Sequence, residues 1–330
     1  AAEMFSNDTS RPVGEDHQDT GDTDSRGIPD IDESGDIAQR YVVDVVDTPV
    51  PSGCSSTPAF NGAAVILGEN EDATALASRL ESLGVTVHAL PIGETPDVTL
   101  DALKQIWQRE PAPHLFVMTA REPGVADFSS PEGWLQRRHR GVMLPFLVCQ
   151  EWVQLLSRTP RRVAAGAGLQ SGQDKEPDLA VQDEDETTTL LSRATLIGVT
   201  ALGGDFGLLH PPKNPEGGAI TGLLKGVHGE MVTRNLQGFR TRIIDAAVDE
   251  PSSMLVDGIL RELTIDDDEI EVVSFRGQRR VPRIRRESIT ELTRQDLPPG
   301  GTWVFTGGAR GITSQIALEL GRRFDLKLHL

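Results

Sequence analysis

One tyrosine, Tyr41, and two cysteines, Cys54 and Cys149, stand in a chain of 330 residues. The cysteines lie far apart and form no CxxC pair. No zinc site or disulfide framework is readable, so a reducing cytoplasm is the expected setting. The seven histidines are scattered without ligand spacing. No apolar run approaches the ~18 residues that a membrane span requires. The opening "AAEMFSNDTSRP" lacks both the basic stretch and the apolar core of a secretory signal. Excess positive charge is missing as well: 50 acids face 32 lysines and arginines, a net of −18, which argues against a nucleic-acid partner. The acidity is local. Residues 1–38 hold eleven acids and two arginines, and residues 171–188 hold seven acids and one lysine. The remainder is close to neutral, so the charge belongs to linking segments.

What is present is a globular composition, 38% hydrophobic and long enough for one large domain or two. Residues 1–37 are rich in Asp, Ser, Thr and Gly without apolar periodicity and read as an acidic disordered linker. Order begins at "RYVVDVVDTPVP", a β-rich run closed by prolines. "GAAVILG", "VTVHAL", "HLFVMT", "TLIGVTAL" and "TRIIDA" read as strands. Between them lie helical stretches. In "EDATALASRLESLG" Leu76, Leu80 and Leu83 recur at helical spacing before Gly84. "TLDALKQIWQRE" places Leu100, Leu103, Ile106 and Trp107 on one face. Residues 131–157 are helical with an interruption expected at Pro145, and 158–193 read as an inserted surface loop. "PEGGAITGLLKGVHGEMV" and "PSSMLVDGILREL" are further helices, and "EIEVVSFRGQRRVPRI" is a hairpin around Arg276-Gly277. Trp107, Trp134 and Trp152 are expected in the core, and "RRHR" at 137–140 on an exposed helix side. Strands alternating with amphipathic helices predict an α/β fold with a doubly wound, Rossmann-like parallel sheet over residues 38–298. The first βαβ of a second Rossmann domain follows at 299–330, with "LKLHL" as its second strand.

That second unit opens with "TWVFTGGARGITSQIALEL". The apolar strand feeds Thr306, Gly307, Gly308, Ala309, Arg310, Gly311 and Ile312, after which Ile316 and Leu320 are expected to pack the helix on the sheet. Gly307 permits a turn with positive φ and leaves room for a ligand. Gly311 opens a helix whose free N–H groups and dipole favour a pyrophosphate. Arg310 either meets the 2′-phosphate of NADP, which would favour NADPH over NADH, or is a solvent-exposed arginine. Strand, glycine turn and amphipathic helix together point to dinucleotide binding; a glycine turn that only links strand to helix is the alternative. Reductases of the short-chain dehydrogenase type use a Tyr four residues before a Lys to protonate a carbonyl oxygen. Four residues after Tyr41 stands Val45, so that pair is absent and no catalytic residue is assigned.

Three stretches in this order, "RYVVDVVDTPVP", "VTALGGDFGLL…PEGGAITGLLKGVHGEM" and "EIEVVSFRGQRRVPRI…WVFTGGARGIT", resemble the ketoreductase region of type I polyketide synthases, especially the bacterial polyunsaturated-fatty-acid-synthase type. The resemblance covers about residues 38–330. It implies that 38–298 are a noncatalytic structural subdomain and that 299–330 begin an NADPH-binding catalytic one. That catalytic half would reduce a β-ketoacyl thioester carried on an acyl carrier protein. On this pattern Thr306, Gly307, Arg310 and Gly311 fall on the cofactor loop, and Thr313 departs from it where glycine is common. The catalytic Ser, Tyr and Lys would lie past Leu330. A start without Met and an abrupt end fit a piece of a longer synthase, inactive alone, whose partners are its other domains.

Lys225, with Thr221 four residues earlier where an active enzyme would need Tyr, reads as a relic of the catalytic helix or as an unrelated helix with a solvated lysine. Arg276, Arg279, Arg280, Arg283, Arg285 and Arg286 either steer an acidic carrier protein or, as is commoner, pair with nearby acids. A noncatalytic scaffold or docking module with a vestigial glycine loop is the rival to the ketoreductase reading. A free-standing dehydrogenase is weaker, for want of the Tyr-x-x-x-Lys pair.

Overall fold

The computed structural model describes residues 40–51, 58–122, 130–159, 189–209, 211–212, 214–236, 238–287 and 299–329. The acidic linker and most of the expected surface loop at 158–193 lie outside the described residues. The strands are β1 (Arg40–Asp47), β2 (Ala64–Leu67), β3 (Val87–Leu90), β4 (His114–Val117), β5 (Thr195–Thr200), β6 (Arg240–Ala246), β7 (Glu271–Phe275), β8 (Gln278–Glu287), β9 (Thr302–Val304) and β10 (Lys327–His329). The helices are α1 (Glu71–Ser82), α2 (Pro96–Arg109), α3 (Pro131–Arg138), α4 (Leu144–Arg158), α5 (Gly217–Thr233), α6 (Ser252–Thr264) and α7 (Gly311–Phe324). The chain divides into a larger unit, residues 45–282, and a second unit formed by 1–44 and 283–330.

The helix limits follow local signals. Asn70 caps α1 by accepting a hydrogen bond from the Ala73 N–H at 2.8 Å, and Gly84 leaves it with φ +81°. Pro96 starts α2 where its missing N–H costs nothing. The expected break at Pro145 is a π-helical turn, His139–Met143, that joins α3 to α4 just ahead of the proline. A proline there cannot donate to the preceding turn, and the widened turn absorbs the missing bond. Arg276 and Gly277, with φ +49° and +75°, close the antiparallel hairpin of β7 and β8 as a two-residue loop with both φ positive.

The large sheet has the order β1-β8-β7-β6-β5-β4-β2-β3. From β3 to β7 every pairing is parallel, as the Rossmann-like reading expected. Numbered along the chain, the parallel strands run 2-1-3-4-5-6. The dinucleotide-binding order 3-2-1-4-5-6, stripped of its outer strand and renumbered, begins the same way. The direction of winding reverses between β2 and β4, and the crevice at their carboxyl ends is where such sheets take ligands.

Alternate residues of the central strands face opposite layers. Val65, Leu67, Leu115, Val117, Leu196 and Ile243 pack with Leu103 and Trp107 of α2, Val148, Trp152 and Leu156 of α4, and Ile220 and Leu224 of α5. Ala64, Ile66, Phe116, Ile197, Val199 and Ile244 pack with Leu76 and Leu80 of α1 and Leu255, Ile259 and Leu263 of α6. Each large side chain buried in this way contributes about 1.5–3 kcal/mol. At Gly198 a Cβ would stand 2.7 Å from Leu224 Cδ2, so glycine is what lets α5 approach β5.

One core expectation needs correction. Trp107 and Trp152 are buried, but Trp134 is 49% exposed; α3 has no buried residue, and the Arg138 guanidinium lies 5.9 Å from the Trp134 ring. In the arginine-rich run, Arg279, Arg280 and Arg285 pair with acids, the commoner of its two readings. Arg279, almost fully buried, binds Glu262 at 2.9 Å and Asp267 at 2.7 Å. Arg280 pairs with Asp47 and Arg285 with Asp44.

In the second unit β9 and β10 pair in parallel around α7. Ala317 is fully buried, and a Cβ at Gly321 would meet Leu328 Cδ1 at 2.8 Å. Ile316, expected to seat the helix, is 40% exposed: with two strands the sheet covers little more than the Ala317–Gly321 face.

Candidate functional site

The glycine turn stands between β9 and α7. The Phe305 N–H donates to the His329 carbonyl at 2.8 Å, and the Gly308 N–H donates to the Phe305 carbonyl at 3.2 Å. Gly307 has φ +76° and Gly311 φ +66°, and around both the space a Cβ would occupy is open. Any L-residue at either position would be strained. Arg310 is the extended N-cap of α7, which has no side-chain cap and no acid in its first turn. Among the described residues, no carboxylate or hydroxyl caps the first N–H groups of that helix. Thr306, Gly307, Ala309, Arg310, Gly311 and Ile312 are exposed, and only Gly308 is buried. Arg310 forms no ion pair with any described residue. Donors, open space and a cation on one turn can hold a phosphate-bearing ligand.

The carboxyl edge of the larger sheet is built in the opposite sense. After β2 the chain reads Gly68-Glu69-Asn70. A Cβ at Gly68 would stand 2.7 Å from Met118 Cβ, and Asn70 Nδ2 donates to the Met118 carbonyl at 3.0 Å. Loops after β2 and β4 thus touch across the switch point. Glu71 and Asp72 occupy the first turn of α1, where they satisfy the dipole and repel an anion. Arg121, with 2% of its side chain exposed, bonds Asp72 at 2.7 Å. It also donates to the carbonyls of Ala246 and Ala247 at 3.2 and 2.9 Å, and Ser252 Oγ donates to the other Asp72 oxygen at 2.6 Å. One buried guanidinium therefore ties the ends of β4 and β6 to the start of α1.

A second set of bonds comes from the segment before α4. Arg137 Nη2 donates to both carboxylate oxygens of Glu216 at 2.5 and 2.7 Å, and Arg140 reaches both Glu69 and Glu122 at 3.0 Å. Asn214 Nδ2 donates to the carbonyls of Ala120 and Glu122. The "RRHR" run, expected on an exposed helix side, instead clamps the loops after β2, β4 and β5.

Between β5 and β6 the loop "ALGGDFG" wraps a carboxylate. Asp245 accepts from Thr200 Oγ1 at 2.7 Å and from the N–H groups of Leu202, Gly204, Asp205 and Phe206 at 2.6 to 3.0 Å. Gly203, Gly204, Phe206 and Gly207 all have positive φ, the curl that turns successive N–H groups inward. Burial raises the Asp245 pKa from its ordinary 3.8, partly offset by these bonds. The loop is an anion nest already filled by the chain's own side chain. Sequence reading passed over it, although a lone acid in the apolar run "TRIIDA" and a nearby glycine-rich loop are its two signals.

Thr221 Oγ1 donates to the Gly217 carbonyl at 3.0 Å, and Lys225 pairs with Glu271 at 2.6 Å. Both residues make structural bonds, and Glu271 lies at the amino end of β7, away from the ligand-binding edge. Among the described residues no cluster of His, Cys, Asp or Glu could hold a metal ion, and no helix is long and apolar enough to cross a membrane.

No family model matches the chain, and no curated protein matches it. Solved structures do. A structure described as the adenylation, ketoreductase and pseudo-Asub domains of a keto acid-selecting NRPS module superposes with a TM-score of 0.62 at 14% identity, over 87% of this chain and 22% of that one. An N-terminal ketoreductase from the macrolactin assembly line gives 0.54 at 14% identity, over 88% and 52%. A C2-type ketoreductase from a modular polyketide synthase gives 0.51 at 14% identity, over 88% and 53%. The resemblance read in the sequence therefore holds at the level of the fold. The chain spans about half the length of these two ketoreductases.

Proposed function

We propose that this chain is the structural half, with the start of the catalytic half, of a synthase ketoreductase region. The parent would reduce a β-ketoacyl thioester on an acyl carrier protein to the β-hydroxyacyl form. NADPH, held in the parent, supplies the hydride. The supporting observation is a contrast within one chain. The edge after β2, β4, β5 and β6 has its donors and crevice taken up by Arg121, Arg137, Arg140 and Asp245. The turn from Thr306 to Ile312 leaves its helix N-terminus uncapped and its arginine without a counter-ion among the described residues. In this reading residues 38–298 brace the reductase without chemistry. Gly307 and Gly311 admit the pyrophosphate, the first N–H groups of α7 bind it, and Arg310 selects the 2′-phosphate. The four exposed apolar side chains Val304, Ile312, Ile316 and Leu318 fit a surface that further strands and helices of the parent cover.

The test is to follow the reading frame past Leu330 by roughly 150 codons, a domain's worth. The extended protein is then assayed for NADPH oxidation with a β-ketoacyl thioester. Turnover that needs a Tyr-x-x-x-Lys pair, and a preference for NADPH over NADH that Arg310→Ala removes, is the expected result. A frame without that pair, or no nucleotide binding, leaves the rival reading of a noncatalytic scaffold with a vestigial loop. The isolated chain is expected to show no turnover.

A further inference from the structure

A groove of about 560 Å³ runs between α4 and α5 on the larger unit. Its apolar wall is Phe146 and Val153 from α4 and Leu223 and Val227 from α5, and Arg158 and Arg234 also line it. Both helices connect strands of one parallel sheet and pack the same core layer, so they run in the same direction. Arg158 is the last residue of α4 and Arg234 the C-cap of α5, which puts both guanidiniums at one end of the groove. From Phe146 to Arg158 the α4 wall is about 18 Å long at the helical rise.

We propose that this groove docks an amphipathic α-helix of a partner protein, one whose first turn carries carboxylates. Charge and shape both support that occupant. Arg158 is exposed and has no ion pair with any described residue, and Arg234 shares the exposed Glu230 one turn back. Glu230 also lines the groove beside Arg234, so the net positive charge of that end rests on Arg158. A helix entering antiparallel to α4 and α5 brings its N-terminus to these arginines. Acids in that first turn satisfy the helix's own dipole and Arg158 together. Phe146 is 47% exposed, an aromatic anchor of the kind that dominates protein interfaces. Recognition of this kind reads side chains at i, i+3, i+4 and i+7 of the incoming helix.

The test uses the full chain and two labelled synthetic peptides of about twenty residues, each a helix with one leucine-rich face. One has glutamates in its first turn and the other has lysines there. Fluorescence anisotropy should show saturable binding of the glutamate-led peptide, weaker by roughly tenfold for the lysine-led one. Arg158→Glu should erase that preference. Gln154→Trp, at an exposed position lining the groove, should weaken both peptides while the thermal midpoint stays unchanged. No saturable binding, or equal binding of both peptides that Arg158→Glu leaves alone, overturns the proposal. So does concentration-dependent self-association in sedimentation velocity that Gln154→Trp abolishes, because the occupant would then be a second copy of this chain. None of these outcomes depends on nucleotide binding or reductase activity.

Discussion

His114 offers a direct check on the energetics of the larger core. It opens β4 between β2 and β5 and is 4% exposed. Its ring meets Phe60 edge-on, with centroids 5.2 Å apart, and neither ring nitrogen has a hydrogen-bond partner among the described residues. Burial disfavours the imidazolium and pushes the pKa from 6.5 down to about 4. The unfolded chain takes up a proton near the upper value and the folded chain only near the lower one. Stability is therefore complete above the unfolded pKa, falls as the pH drops through it, and levels off below the folded pKa. The full gap is worth about 3 kcal/mol, of which about 2 kcal/mol is already lost at about pH 5 relative to neutrality. In urea that loss lowers the unfolding midpoint by roughly 1 M. His114→Phe keeps an aromatic ring against Phe60 and removes both orphaned nitrogens. Urea unfolding of the two proteins at about pH 7.5 and pH 5 isolates the term, since every other titrating group is common to both. The wild type should lose about 2 kcal/mol more than the variant on acidification. Equal losses in the two proteins would refute the reasoning, because the ring would then be protonated in the fold or titrate alike in both states.

Other parts of the structure make independent predictions. Glu262 and Arg279 are each 1% exposed in their side chains and share a network with Arg242 and Asp267; Glu262→Ala should cost about 3–5 kcal/mol in chemical unfolding, and Glu262→Leu with Arg279→Met should recover part of it. Asp245→Ala empties the nest after β5, and formate should raise the thermal midpoint of that variant while formamide leaves it unmoved; a midpoint insensitive to formate would show that the loop collapses without its carboxylate. Gly222→Ala and Gly226→Ala, at exposed helix positions with open space around the added Cβ, should each stabilise the protein by about 0.5–1 kcal/mol in thermal or urea unfolding.

Local pattern carried the secondary structure and the class of fold. Leucines at helical spacing, β-rich runs and glycine at helix ends act within one or two turns of chain, and α1, α6 and the β7–β8 hairpin followed from them. The strand order did not, because removing an edge strand from a wound sheet leaves each remaining strand and helix with the same local signature. The clamps were hidden for a related reason. Arg137 and Arg140 look like surface residues on α3 and the π turn until Glu216, Glu69 and Glu122 arrive from other loops. Trp134 misled in the opposite direction: its size suggested burial, but its helix lies outside the core. The glycine turn before α7 was legible because its conformational demand is met within a few residues, at Gly307 and Gly311.

The two βα turns of this chain show why a wound sheet is not by itself a nucleotide site. After β2, Asn70 caps the helix, Glu71 and Asp72 load its first turn with negative charge, and Gly68 is pressed against Met118. After β9, glycines with positive φ stand in open space and the helix starts uncapped. The difference extends beyond either turn. Arg121 needs Asp72 as counter-ion, the carbonyls after β6 need Arg121, and Arg140 balances Glu69 and Glu122. Grafting the glycine turn onto β2 would strand those charges without freeing the crevice, because a buried guanidinium without its carboxylate is costly. The closed edge is thus a connected set of ion pairs and buried polar contacts. The chain's own side chains tie the loops after β2, β4, β5 and β6 to one another and to α1, α3 and α5.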